Sequence, residues 1–107
     1  MMKDEFITAI HSRKKVRVSF FSKEDSSTLV RKCAPMDYGP SRRSREKNDR
    51  YHFWDYESDT KVHTLSLNPQ QVRRIEILDE TFEPSEFITW DTKQSPWFIK
   101  RDWDIYS

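Results

Sequence analysis

The chain's 107 residues are the length of one ordinary domain with a single modest core. Apolar and charged residues each make up 35%, a balance that alone favours weak folding, but 14% are aromatic and each ring buries a large apolar area. The formal net charge of +1 conceals an asymmetry, with 13 Lys/Arg against 7 Asp/Glu in residues 1–50 and 6 against 11 in residues 51–107. The two halves either present a positive face to an anion or neutralise each other across the folded surface. A single glycine, Gly39, excludes the glycine-rich phosphate loops of nucleotide-binding folds. There is no apolar run of membrane-spanning length and no secretory segment after Met1, so the expectation is a soluble, cytoplasmic protein. The lone Cys33 fits a reducing compartment, as a small buried hydrophobe or, alternatively, a reactive thiol.

In chain order, residues 3–13 space Phe6, Ile7 and Ile10 for a short amphipathic helix, with acids at its start and bases at its end. Val16, Val18 and Phe20 alternate with Arg17 and Ser19 in a first strand. Lys23–Ser27 is a polar turn, and Thr28–Ala34 is the partner strand, closed by Pro35. Residues 36–50 have no period and read as a long basic loop. Tyr51–Tyr56 is an aromatic strand. Lys61–Leu67 returns with His63, Leu65 and Leu67 on one face, and Pro69–Val72 suits one helical turn capped by Asn68. Val72–Leu78 is a fifth strand, with Ile75 and Ile77 facing one way. Residues 79–107 hold Trp90, Trp97 and Trp103, too aromatic for a solvated linker, so they pack on the domain or on a second copy. The expected fold is mainly β with an N-terminal α-helix: a five-stranded antiparallel small barrel over residues 1–87, with an aromatic extension over 88–107.

The chemistry is that of binding. His11, His52 and His63 lack metal-ligand spacing, and no nucleophile has a base and an orienting partner, so no metal, cofactor or catalytic residue is expected. A cross-strand Cys33, His52 and His63 trio is the one metal site that remains conceivable. Arg42, Arg43, Arg45, Lys47 and Arg50 run directly into Tyr51, His52, Phe53 and Trp54. Cations for phosphate beside aromatic faces for bases are what single-strand recognition needs. The plainer reading of the same residues is a solvated charge run followed by a core strand.

From residue 6 to residue 87 the chain resembles a WYL domain. The matching features are the helix with Ala9-Ile10, the basic turn Arg13–Lys15, the strand VRVSFF and the Arg31–Pro35 stretch like the family's R-x-x-P segment. Further along, HTLSL resembles its R-x-F-x-L strand, and RRIEIL with Phe82 resembles its final strand and terminal Phe. Tyr51-His52-Phe53 stands at the Trp-Tyr-Leu position, His63 stands where the family usually has Arg, and NPQQV is inserted between Leu67 and Ile75. The resemblance implies an Sm-like small barrel behind a leading helix. It also implies a bacterial transcription-regulating module that senses ligands, including single-stranded nucleic acid. The expected ligand is therefore single-stranded nucleic acid or a nucleotide-like, phosphorylated molecule. The expected contacts are Arg42, Arg43, Arg45, Lys47, Arg50, Tyr51, His52, Trp54 and His63. The competing reading is a protein–protein adaptor or homo-oligomer that buries its aromatic tail against a partner.

Overall fold

The computed structural model describes residues 2–41, 45, 47–58 and 60–107. Helix α1 (Met2–Ser12) buries Phe6, Ala9 and Ile10, the stripe its three- and four-residue spacing demands. It ends on Arg13 in the left-handed conformation (φ 55°), whose N–H reaches Ile10 O at 3.3 Å. This stop turns the chain straight into strand β1 (Lys14–Ser22), which buries Val16, Val18 and Phe20 on one face. A four-residue turn, with Ser26 at φ 50° and the Ser22 hydroxyl donating to Asp25 at 2.8 Å, leads into β2.

Strand β2 (Ser27–Pro40) overturns the expected stop at Pro35 and the expected loop from residue 36. Its first half, Ser27–Cys33, pairs with β1, and its second half, Cys33–Pro40, pairs with β3 (Asp49–Asp55). Pro35 lies past the end of the β1 pairing, so its missing N–H breaks no bond on that side. The β3 register shifts between Pro35 and Asp37, a bulge at Met36. Cys33 through Asp37 are all buried, so this stretch does not alternate and carries no period-two signal. The basic loop is thereby confined to residues 41–48.

Strand β4 is Thr64–Leu67, shorter than expected because residues 61–63 belong to a turn held by Ser58 and Thr60 hydroxyls, both donating to Val62 O. The Asn68–Gln71 turn is closed by Gln71, whose side-chain oxygen accepts the Asn68 N–H at 3.1 Å and whose Nε2 donates to Phe21 O at 3.1 Å. Strand β5 (Val72–Thr81) completes one antiparallel sheet in the order β4-β3-β2-β1-β5. The sheet is not closed into a barrel: among the described residues no pairing joins β4 to β5.

Phe6, Ile10, Val18, Phe20, Leu67 and Ile75 share the core, with Leu65 and Ile77 packed partly buried against it. The α1 side chain Phe6 meets Tyr51 and Phe53 edge-on at 4.9 and 5.2 Å. From residues 88–107, Ile88 and Trp103 join the same core, with Trp97 and Tyr106 packed partly buried against it; Trp103 is fully buried and its indole N–H donates to Ile10 O of α1 at 2.9 Å. The charge asymmetry is partly neutralised across the surface. Cations of the first half meet acids of the second, as in Arg17–Glu76 (3.2 Å), Lys32–Glu80 (2.8 Å) and Arg13–Asp104 (3.4 Å).

Candidate ligand-binding cleft

The alternation of β3 sorts its aromatic residues. Tyr51 and Phe53 point inward opposite Leu67 and Leu65, while His52 and Trp54 point outward opposite Ser66 and Thr64. Tyr51 is consequently a core residue, edge-on to Tyr38 at 4.9 Å, with its hydroxyl pKa pushed up by burial, and it has no face for a ligand. Trp54 is stacked against His63 at 4.9 Å and against Phe87 at 5.7 Å. His63 is further fixed by a 2.9 Å bond from its Nδ1–H to Asp55 O. His52 is held upright: its Nε2–H donates to Gly39 O and its Nδ1 accepts from the Ser66 hydroxyl, each at 2.8 Å. A carbonyl can only accept, which fixes the proton on Nε2.

Arg45 and Lys47 are exposed on the 41–48 loop and make no ion pair among the described residues. Arg50 is half-buried on β3 opposite Gly39. Arg42 and Arg43 lie outside the described residues. Cys33, His52 and His63 are not brought together. Among the described residues no three His, Cys, Asp or Glu side chains form a metal-binding group. Cys33 is buried, and desolvation, reinforced by Asp55, pushes its thiol far up, which makes it inert.

The outward face of β3 and β4 forms one wall of a cleft of about 540 Å³, through His52, Thr64 and Ser66 with Val62 beside them. The other wall is the C-terminal tail, through Trp90, Ser95, Pro96 and Trp97, and Asp37, Pro40 and Ser41 close the end from which the basic loop departs. Asp37 fixes the two walls together. Its carboxylate accepts the backbone N–H groups of Phe98 (2.9 Å) and Ile99 (3.0 Å) and pairs with Arg101 Nη2 at 3.3 Å. The Arg101 side chain is fully buried, its guanidinium lying over Trp97 at 4.0 Å and Trp103 at 4.4 Å. It also donates to the carbonyls of Met36 and Ile99. Burial lowers its pKa to about 10, with Asp37 opposing, so it stays a cation at neutral pH. From the cleft inward the rings run edge to face, Trp90–Trp97 at 5.7 Å and Trp97–Trp103 at 5.5 Å. Gly39 is required by close approach: a Cβ there would stand 2.5 Å from Phe98 Cδ2.

Of the residues expected from sequence, His52 lines the cleft, and the loop bearing Arg45 and Lys47 rises from it. Asp37, Arg101, Trp90 and Trp97 were missed as site residues. Their signals are an arginine between tryptophans, Trp97-x-x-x-Arg101-x-Trp103, and the chain's only glycine two residues after an aspartate. Comparison of the chain with protein-family models, with curated proteins and with solved structures finds no match to any of them.

Proposed function

We propose that this chain is a non-enzymatic sensing module of the WYL type, built on the strand connections of an Sm-like small barrel. In this reading it acts in the cytoplasm in bacterial regulation, binding single-stranded nucleic acid or a phosphorylated small ligand. The observation that carries it is the aromatic-walled cleft at the root of a loop whose cations Arg45 and Lys47 lack acidic partners among the described residues. Arg13, Lys15, Arg17, Arg31 and Lys32 of the first half are already paired with acids, which leaves positive potential at that loop. The absence of catalysis is supported by the chemistry of the two best candidate groups. The Cys33 thiol is buried and hard to ionise, and both His52 nitrogens are engaged. The adaptor reading has less support, because Trp97 and Trp103 are engaged within the chain.

The test is binding of single-stranded DNA and RNA at two salt concentrations. Affinity falls with salt, and replacing Arg45 and Lys47 with Ala lowers the salt slope by about one unit per lost phosphate contact. A chain that binds no phosphate-bearing ligand at low salt refutes the proposal.

A further inference from the structure

The cleft differs sharply in what it can stack and what it can pair. Trp90, 37% exposed, and Val62, 69% exposed, offer apolar surface, and Trp97 backs Trp90. Its two ionisable lining residues are spent. Asp37 holds Phe98, Ile99 and Arg101, and His52 holds Gly39 and Ser66. What is left is hydroxyl: Ser41, Thr64 and Ser95 line the cleft and make no side-chain hydrogen bond among the described residues. A charged group placed there would find no free opposite charge to pair with. A flat, uncharged, hydroxyl-bearing group would stack on indole and exchange hydrogen bonds with hydroxyls that both donate and accept. The volume of about 540 Å³ falls among ordinary small-molecule sites.

Immediately outside, the chain leaves Ser41 into the loop that carries Arg45 and Lys47. A neutral, aromatic interior at the root of a loop that carries Arg45 and Lys47 matches a nucleotide, whose base and sugar are uncharged and whose phosphate is not. We infer that the cleft is a nucleoside pocket. It takes one base with its sugar, from a free mononucleotide or from an unpaired position of a single strand, and leaves the phosphate at the loop. This rests on the binding function proposed above and assigns its ligand and its walls. Trp90 is the stacking surface, and Thr64 and Ser95 are the hydrogen-bonding hydroxyls.

The experiment follows the indole N–H NMR signals of Trp90 and Trp97 in the full chain during titration. The probes are adenosine monophosphate, adenosine, ribose 5-phosphate, a short single-stranded oligonucleotide and maltotriose. Adenosine monophosphate, adenosine and the oligonucleotide shift both indoles, and ribose 5-phosphate and maltotriose do not. Trp90→Ala weakens the nucleotide about tenfold and Thr64→Val about fivefold, each with the salt slope unchanged. Both positions are exposed, so the variants fold. Tighter binding of the oligonucleotide than of the mononucleotide identifies a strand as the source, and the converse identifies a free nucleotide. If the oligonucleotide binds the parent and both variants equally, the pocket assignment is overturned and the salt-dependent binding function stands. A shift with maltotriose alone overturns it in favour of a carbohydrate. If no phosphate-bearing probe binds, both readings fall together.

Discussion

Asp37 and Arg101 form a charge pair removed from water, and such pairs are costly to break from one side. Asp37→Ala would leave a buried guanidinium without its carboxylate and the Phe98 and Ile99 N–H groups without acceptors. The expected loss is about 3–5 kcal/mol by urea denaturation, and a loss near zero would show that the tail is held by its rings alone. Asp55 presents the opposite balance. Burial raises its pKa, with the Glu57 N–H at 2.9 Å and Arg31 at 3.6 Å opposing only in part. An acid raised on folding contributes stability that is complete below the ordinary value of about 3.9 and is lost as pH rises through the higher folded value. Asp55→Asn removes that dependence. The stability of the variant relative to the parent should therefore increase as pH rises through the carboxylate range, in denaturation series across that range. A difference that does not change with pH would mean that Arg31 and Glu57 offset burial fully.

The elements divide by how their residues announce them. Helix α1 and strand β1 were legible because Phe6 and Ile10, and Val16, Val18 and Phe20, each keep one period for their whole length. The second half of β2 was not, because a strand buried from Cys33 to Asp37 has no polar face to alternate with. The cleft was half legible. Outward His52 follows from the alternation of β3, whereas the tail wall depends on a contact across 64 residues between Asp37 and Arg101, which no local pattern encodes. The tail also sets a ranking of its tryptophans. Trp103 is fully buried, so Trp103→Ala should cost about 3–5 kcal/mol, while Trp90→Ala at the exposed end of the same aromatic row should cost under about 1 kcal/mol. Thermal melts of the two variants settle the order, and equal losses would place Trp90 in the core.

At the scale of the molecule, four of the five strands are joined to their sequence neighbours: β1 to β2, β2 to β3 and β3 to β4 each pair side by side. These contacts span short stretches of chain and close cheaply. The bond from the Trp103 indole to Ile10 O joins residues 93 positions apart, and the Asp37–Arg101 pair joins residues 64 apart. Elements held by a few distant contacts open with less free energy than a continuous ladder. Native-state hydrogen exchange should accordingly show the Trp97 and Trp103 indole N–H groups and the Phe98 and Ile99 amides exchanging through a smaller opening than the β1–β2 amides. One shared global rate for all of them would exclude this. Because one wall of the cleft is the tail itself, the molecule would on opening pass through a state that still has its sheet but has lost the cleft. Any occupant of the cleft would then slow the exchange of Phe98 and Ile99, together with every amide that exchanges only after the tail has opened, so that protection at two tail amides becomes a direct gauge of occupancy.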